Sequence, residues 1–345
     1  MAIPIKNIYF LLSYAWKRLD VSSGVQIEAE NDMDLPDLFA RLLINCAKAI
    51  IKKGVDRSYV QHSGDIPGIK GKFEVAETLK RNLLDKHRAV CSFDEFSANI
   101  LTNQILLTTL SRLQKTVELD YEYKREIKHI RSMFWDIDLI NLKASHFKSV
   151  KLNRNNRFYG FIIDICRMVF ENMLPSETPG VWNFMDFTRD ERQMNRLYEE
   201  FIFNYFAFEH REWTVSRDYM NWNFTAENPA NLKYLPRMIT DITLSSPTNK
   251  LIVDAKYYGK TVGIHYDAEK IHSHNLYQIF SYLINQENGK PREQTAAGML
   301  LYPTIEKEFD LKYRFREHDI YIKTLNLNAS IPGIKGRLDS IIEEL

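Results

Sequence analysis

The chain contains 345 residues, about twice the ~150 residues of a typical domain, which predicts two domains. Hydrophobic residues make up 45% and charged residues 26% of the chain, a composition that excludes a disordered, collagen-like or coiled-coil protein. Because 46 Lys and Arg balance 45 Asp and Glu, any surface that binds nucleic acid must be local.

The cysteine pattern and the hydropathy indicate an intracellular protein. Cys46, Cys91 and Cys166 are far apart and lack CxxC spacing, which argues against a disulfide framework and against a Cys-based zinc site. The most apolar early segment, residues 8–16, is too short to span a bilayer. We therefore expect a cytoplasmic location.

The first half of the chain alternates between helical and strand-like patterns. Apolar spacing predicts helices over residues 35–53, 97–115 and 119–133. Short β-like runs at residues 58–62 and 88–93 lie between the first two helices. The first domain is therefore predicted to mix helices and strands.

The glycine-rich segment Ile66–Lys72 also contains a proline, so it is predicted to form a turn or loop. Its first six residues, Ile66–Gly71, recur letter for letter as Ile331–Gly336. Because the flanking residues do not match, a solenoid is not indicated, and the sequence predicts two similar tight turns.

A basic stretch lies near the middle of the chain, where no acidic residue occurs between Asp138 and Asp164. Aromatic residues alternate with the Lys and Arg residues of this stretch. Such a stretch is attracted to the phosphate backbone of nucleic acids. The candidate DNA contacts of this stretch are Lys148, Lys151, Arg154 and Arg157. A polar linker between domains explains the stretch equally well, and we place the domain boundary near residue 150.

The pattern that carries chemistry is a predicted β-hairpin over residues 235–244 and 251–258, with turn-forming residues between its two arms. Side chains alternate along a strand, so Asp254 and Lys256 project to the same face. Asp241, on the neighbouring strand, can reach the same end of the sheet. Two carboxylates and one ammonium group therefore converge.

Two carboxylates held close together repel each other unless a cation neutralises them. Oxygen ligands favour Mg²⁺, with Mn²⁺ as the alternative, and Mg²⁺ uses few carboxylates together with waters and phosphate oxygens. Lys256 would then stabilise charge on the phosphate, or orient and deprotonate the attacking water. A solvent-exposed Asp–Lys pair on an edge strand is the structural alternative.

The helix that follows, at about residues 269–286, carries Gln278 and Tyr282 on one face in a Q-x-x-x-Y arrangement. The order of these motifs resembles the PD-(D/E)xK nuclease superfamily, and in particular its RecB-type branch. The resemblance implies a mixed sheet flanked by helices. It assigns Asp241 as the first motif acid, and Asp254 and Lys256 as the second acid and the lysine. Gln278 and Tyr282 match the helix motif.

The resemblance can be narrowed to a family. The matching segments are Asn7–Tyr9, Ser13–Trp16, Ile66–Lys72, Leu235–Asp241, Ile252–Tyr258, and His272–Ser273 with Asn275–Gln278. In this order they resemble McrC, the nuclease subunits of McrBC restriction systems, which cut DNA that contains modified cytosine. The resemblance implies a partner, the AAA+ GTPase McrB, which recognises the modified DNA and translocates.

The fold class expected from these patterns is α+β or α/β. An N-terminal mixed α and β docking domain would occupy residues 1–150, and a PD-(D/E)xK nuclease domain residues 151–345. No P-loop GxxxxGK[ST] occurs in the sequence, so GTP would be bound only through the partner.

Three further residues are candidates for the site. A helix is predicted over residues 188–210, and its Glu199 or Glu200 could provide a further metal ligand of the kind found in RecB-type nucleases. Adjacent glutamates are more often surface residues. Arg237 could contact DNA phosphate or pair with a local carboxylate, and Tyr282 is a further candidate DNA contact.

The leading hypothesis is a Mg²⁺-dependent DNA endonuclease subunit that also stimulates the GTPase of its partner. Asp241 and Asp254 would bind metal, Lys256 would act on phosphate or water, and Gln278 would orient the site. A non-enzymatic adaptor that activates an AAA+ GTPase is one alternative. A stand-alone RecB-like nuclease is another.

Overall fold

The structure, a computed structural model, describes residues 3–16, 33–153, 156–257, 263–265, 268–286, 296–304 and 308–344, and only the backbone of residues 157, 263–265 and 268–270. The α-helices of these ranges are α1 Ile5–Ala15, α2 Leu35–Lys53, α3 Val75–Lys80, α4 Leu101–Gln114, α5 Tyr121–Met133, α6 Ala144–Ser149, α7 Arg157–Glu171, α8 Glu191–Glu209, α9 Ser273–Gln286 and α10 Ile331–Glu343.

The strands alternate with these helices along the chain. They are β1 Ser58–Pro67, β2 Lys72–Phe73, β3 Arg88–Ser97, β4 Met173–Pro175, β5 Trp182–Phe184, β6 Thr214–Ser216, β7 Tyr219–Met220, β8 Met238–Ile239, β9 Ile242–Ser245, β10 Lys250–Ala255, β11 Gly263–His265, β12 Ala268–Lys270, β13 Ala296–Thr304, β14 Asp310–Phe315 and β15 His318–Asn326. No helix in the described ranges is both long enough and apolar enough to cross a membrane.

The chain divides into two compact units. The inserted unit comprises Asp34–Met185, and the discontinuous unit comprises Met1–Met33 together with Asp186–Leu345. In the inserted unit, β1, β3 and β2 form an antiparallel sheet, and helices α2, α4, α5 and α7 pack against one another. The three cysteines of the chain lie in this unit as buried free thiols.

These units differ from the domain boundary that the sequence predicts near residue 150. Helix α7, which lies beyond that boundary, packs against α2 and α4. Its Phe161 and Ile165 are fully buried, and its Tyr159 hydroxyl donates a 2.7 Å hydrogen bond to Asn103 Oδ1 on α4. A fragment that ended at residue 150 would lack α7, whose buried side chains form part of the core of the inserted unit.

A mixed six-stranded sheet organises the discontinuous unit, in the order β14-β15-β13-β10-β9-β6. The central strands β10, β13 and β15 are parallel, and the outer strands pair antiparallel. Helix α9 connects β10 to β13, which makes a βαβ crossover. The carboxyl ends of the central strands therefore meet at one edge of the sheet.

Helix α9 lies directly on the sheet, because a glycine faces it. A Cβ atom added to Gly298 of β13 would come within 2.8 Å of Ile279 and 3.0 Å of Leu283 on the helix. The hydrophobic core on this face also contains Ile252 of β10 and Leu300 of β13. The apolar face of α9 and the sheet thus fix where its polar residues stand.

Helix α8 begins at a well-formed cap and brings its glutamates to the sheet. The Asp190 carboxylate accepts hydrogen bonds from the backbone N–H groups of Arg192 and Gln193. Helix α8 then packs against α1, β6 and β10. Asn7 of α1 donates hydrogen bonds to the carbonyl oxygens of Leu327 and Ala329, which joins the first helix to the loop before α10.

The repeated hexapeptide adopts two different structures. Ile66–Gly71 ends strand β1 and turns, with Gly68 and Gly71 at φ values of +75° and +70°. Ile331–Gly336 instead forms the start of α10, where the Ser330 hydroxyl accepts a hydrogen bond from Gly333 N–H. The prediction of two similar turns is wrong, because a preceding cap and a proline in the first turn favour a helix.

Candidate active site

Strand β10 and the residue that follows it place Asp254 and Lys256 on one face of the sheet, as their spacing predicts. Ile252, two residues earlier, lies in the core beneath α9, so Asp254 continues this inward-facing row. The strand ends at Ala255, and the Lys256 N–H donates to the carbonyl oxygen of Leu301 on β13. The pair therefore stands where a buried strand opens at the sheet edge.

Lys256 joins the two carboxylates. Its Nζ lies 2.9 Å from Asp241 Oδ2 and 3.0 Å from Asp254 Oδ1. Asp241 precedes β9, the antiparallel neighbour of β10, so two strand ends deliver the two acids. The structure thus brings together the three residues that the sequence singles out.

Asp254 is buried without adequate compensation. Its side chain has no solvent exposure, and the one cation described beside it is the Lys256 ammonium group, which it shares with Asp241. Burial raises the pKa of Asp254 and outweighs the attraction of Lys256, while the nearby Asp241 carboxylate raises it further. Two buried carboxylate oxygens are therefore available to a ligand that removes this electrostatic cost.

Lys256 is held in its charged form. Burial opposes the ammonium group, but the carboxylates of Asp254 and Asp241 outweigh burial and raise the pKa of Lys256. With its proton retained, Lys256 acts as a hydrogen-bond donor and a positive charge, the form that stabilises a developing phosphate charge.

Helix α8 contributes two more carboxylates, Glu199 and Glu200, and Arg217 connects them to Asp241. The sequence alone gives no indication of this role for Arg217. Arg217, just after β6, donates hydrogen bonds of 3.2 Å to Glu199 and 2.7 Å to Glu200. Its Nε donates to the carbonyl oxygen of Asp241. Burial and the Asp241 carboxylate raise the pKa of Glu199, so Glu199 lies within the electrostatic field of Asp241.

Arg217 is missed because no motif marks it. It lies at the end of a strand of only three residues, far along the chain from both its glutamates and Asp241. Its role becomes visible only when β6 pairs with β9 in the folded sheet.

Gln278 and Tyr282 lie on one face of α9 and hold the backbone that leads to Asp241. The Gln278 side chain donates a 2.8 Å hydrogen bond to the Tyr282 hydroxyl, which donates a 2.7 Å bond to the carbonyl oxygen of Ile239. Thr240, which precedes Asp241, donates its N–H to the carbonyl oxygen of Asp218. Proline has no N–H and could not make this bond.

The donor set fits a hard divalent cation. The four carboxylates and two cations described above leave two formal negative charges in excess. Among the described residues no three His, Cys, Asp or Glu side chains cluster as metal ligands. An ion held by Asp241 and Asp254 would therefore complete its shell with water and phosphate oxygens, as Mg²⁺ commonly does.

The other predicted contacts lie in different parts of the chain. Arg237 is exposed beside β8, in the discontinuous unit. Lys148 and Lys151 are exposed in the inserted unit. Arg154 lies outside the described residues, as does the side chain of Arg157.

Comparisons with known proteins agree on one family. Residues 6–303 match the family model described as "McrBC 5-methylcytosine restriction system component". The chain is 32% identical over 344 residues to the Escherichia coli (strain K12) protein "Type IV methyl-directed restriction enzyme EcoKMcrBC", covering 99% of this chain and 98% of that protein.

A solved structure shares the fold. The matched chain belongs to a Thermococcus gammatolerans assembly described as McrB AAA+ hexamers with bound McrC, and the alignment covers 97% of this chain and 76% of that one. The TM-score is 0.57 at 14% sequence identity, which shows similarity of fold alone. From the family match and the E. coli relative, we conclude that the chain belongs to the family of McrBC 5-methylcytosine restriction system components.

Proposed function

We propose that this chain is the Mg²⁺-dependent endonuclease subunit of a GTP-dependent restriction complex that cleaves DNA containing modified cytosine. The observation that carries the proposal is the fully buried Asp254, which lies 3.0 Å from Lys256 and beside a second carboxylate, Asp241, that raises its pKa. Such an arrangement is costly for stability and suited to holding a cation. Membership of a restriction family supports a DNA substrate.

In this proposal Asp241 and Asp254 hold Mg²⁺, with Mn²⁺ as a substitute. Glu199 is the favoured further ligand, and it would act through a metal-bound water, because no three acidic side chains cluster as direct ligands in the described part of the chain. Glu199 is preferred to Glu200 because Asp241 and Lys256 both influence its pKa. When bound, the metal would supply Lewis-acid stabilisation of the phosphate and a more acidic water. Arg217 would keep the glutamate pair in place.

Lys256 stabilises negative charge on the scissile phosphate, because the carboxylates around it favour its protonated form. Gln278 acts as a positioning residue. It donates to Tyr282, which holds the carbonyl oxygen two residues before Asp241.

The proposed partner is an AAA+ GTPase of the McrB kind. The archaeal assembly with the same fold is described as containing McrB AAA+ hexamers with bound McrC, and we infer a corresponding complex here. We assign docking and GTPase stimulation to the N-terminal half of the chain. The acid–acid–Lys site lies in the discontinuous unit.

The decisive experiment measures cleavage of modified DNA by the complete complex with GTP. Asp254→Ala and Lys256→Ala should each reduce cutting by about 10²-fold or more, the usual effect of removing such a group. Lys250→Ala is the matched control, because Lys250 lies on the same strand, pairs with Asp218 at 3.0 Å and has the same 17% exposure as Lys256. Full cutting by both Asp254→Ala and Lys256→Ala would exclude this site.

Metal binding can be tested without cleavage. Mg²⁺ should raise the melting temperature of the parent chain, since a ligand at ten times its Kd stabilises the native state by about 1.4 kcal/mol. Asp254→Asn should lose this response, while Lys250→Ala should keep it. An equal Mg²⁺ response in the Asp254→Asn variant would contradict the proposed ligand.

The same variants separate the alternatives. If Asp254→Ala abolishes cutting but still stimulates the partner's GTPase, the chain is both nuclease and activator. If the chain were only an adaptor, Asp254→Ala and Lys256→Ala would leave DNA cutting by the complete complex unchanged. A stand-alone nuclease would degrade unmodified DNA ends without partner or GTP.

A further inference from the structure

A loop beside the site presents aromatic rings and cations to solvent. We define the aromatic loop as residues 221–237, between β7 and β8. Its Phe224 is 55% exposed and its Tyr234 is 75% exposed. Single exposed rings are common on protein surfaces, so the case for this loop depends on how its rings and cations are arranged.

The loop is tied to the helix that carries the predicted site motif. Asn223 N–H donates a 2.7 Å hydrogen bond to Asn285 Oδ1, and Asn285 lies three residues after Tyr282 on α9. Tyr282 in turn donates a hydrogen bond to the carbonyl oxygen of Ile239, in the strand that follows the loop. One end of the aromatic loop and the strand after its other end are thus bonded to one face of α9.

Within the loop, the rings of Trp222 and Phe224 stack on each other, and Trp222 is held in place by the core and by a hydrogen bond. Trp222 packs against the core beneath α9, and its Nε1 donates a 2.8 Å hydrogen bond to Pro236 O across the loop. Phe224 stacks on Trp222 at 5.3 Å between centroids and 25° between ring planes. Since one face of Phe224 covers Trp222 and more than half of the residue is exposed, its other face is open.

The charge of the loop favours a polyanion. Lys233 and Arg237 are its cations and Glu227 is its one acidic residue. Lys233 Nζ lies 5.0 Å from the ring centroid of Tyr234, which places a cation and an aromatic face together at the surface. Aromatic platforms combined with cations are the means by which proteins bind unpaired nucleotides.

We propose that the aromatic loop binds an unpaired DNA base next to the cleavage site, with Phe224 stacking on the base and with Lys233 and Arg237 contacting phosphates. The inference rests on the proposed nuclease function, because that function supplies DNA as the partner. It adds a contact that positions the strand, at residues outside the acid–acid–Lys set.

The test uses the full chain in EDTA and a short single-stranded thymidine oligonucleotide carrying a fluorescent label. Phe224→Ala should weaken binding by at least about fivefold, the lower end of the effect of losing one base–aromatic stack. Phe224→Trp should restore binding. Trp135→Ala, which removes an 85% exposed ring in the inserted unit, is the matched control and should bind as the parent does.

The proposed phosphate contacts can be tested separately, through the dependence of binding affinity on salt concentration. Lys233→Gln and Arg237→Gln should each reduce the slope of log affinity against log salt by about 0.7, the value for one single-stranded phosphate contact. A fully paired duplex of the same length should be less sensitive to Phe224→Ala than the single strand. Unchanged slopes in both charge variants would remove Lys233 and Arg237 from the contact.

Parent-like binding by Phe224→Ala would overturn the inference, as would an effect confined to the duplex or an equal loss in the Trp135 control. Because these measurements need neither metal nor cleavage, their failure is distinguishable from failure of the nuclease proposal. That proposal would fail through retained cutting by Asp254→Ala and Lys256→Ala.

Discussion

The Asp254 carboxyl group destabilises the fold that surrounds it. It is fully buried, the Asp241 carboxylate lies close to it, and burial raises its pKa despite the ion pair with Lys256. The native chain therefore binds a proton at this residue more tightly than the unfolded chain does. Its contribution to stability is favourable at low pH and is lost as the pH rises toward the raised pKa.

Asp254→Asn should accordingly stabilise the metal-free chain at neutral and alkaline pH. The gain in unfolding free energy should be small at about pH 2, where both states are protonated, and should grow to about 1 kcal/mol or more by pH 8, since each unit of pKa shift corresponds to about 1.4 kcal/mol. Urea unfolding in EDTA across this pH range measures the difference. A gain that does not depend on pH would show that Asp254 is not the group responsible.

The two glutamates of α8 should behave differently although they are adjacent and share Arg217. Glu199→Gln should weaken the stabilisation by Mg²⁺ and reduce cutting, because Glu199 is electrostatically linked to Asp241. Glu200→Gln is the matched control and should retain both properties. Thermal melting with and without Mg²⁺ compares them, and the opposite ranking would make Glu200 the further ligand.

At the scale of elements, the contact between α9 and β13 depends on the absence of a side chain. Gly298→Ala should destabilise the chain by about 1–3 kcal/mol, because its Cβ would meet Ile279 at 2.8 Å and overpacking of a filled core costs energy of this size. Chemical denaturation measures the effect. An unchanged free energy of unfolding would mean that α9 can move away from the sheet at little cost.

Gly336 provides the opposite case in α10. It is exposed in the helix, and a Cβ added there would meet no atom within 4 Å in the described structure. Gly336→Ala should therefore stabilise the chain by about 0.5–1 kcal/mol, the difference in helix propensity between the two residues. A loss of stability in the same denaturation experiment would contradict this local account of α10.

How far the elements can be predicted depends on whether their signal is local. The alternation of Asp254 and Lys256 is fixed by strand geometry, so their shared face is predictable from spacing alone. The structure of Ile331–Gly336 is not, because the same six letters turn after β1 and begin a helix after Ser330. The partnership of Arg217 with Glu199 requires the folded sheet, and no spacing in the sequence indicates it.

At the scale of the whole molecule, the sequence predicts two domains but not where they divide. The basic stretch near residue 150 is equally typical of a linker, yet Phe147 of α6 packs against Phe170 of α7 at 5.3 Å between ring centroids, with the ring planes tilted by 47°. Polar residues flank these rings in the sequence, so the hydrophobic pattern does not show that one core continues across residue 150. The return of α1 to the discontinuous unit is a long-range contact that local patterns cannot reveal.

The structural division predicts which fragment can fold. Residues 34–185 expressed alone should unfold in one cooperative thermal transition, because they contain the complete inserted unit. Residues 1–150 should not, since they lack α7 and its buried residues, such as Phe161 and Ile165. Circular dichroism during heating compares the two fragments. Cooperative unfolding of residues 1–150 alone would show that α7 is dispensable.

The hydrogen bonds from Asn7 to Leu327 and Ala329 also set an order of events on the ribosome. Helix α1 is synthesised first, but its acceptors lie 320 and 322 residues later, so the discontinuous unit cannot be completed until synthesis is almost finished. At typical translation rates the inserted unit is available on the order of ten seconds earlier. A nascent or prematurely terminated chain can therefore display the inserted unit while lacking a complete discontinuous unit, which would delay the proposed DNA cutting until that unit is complete.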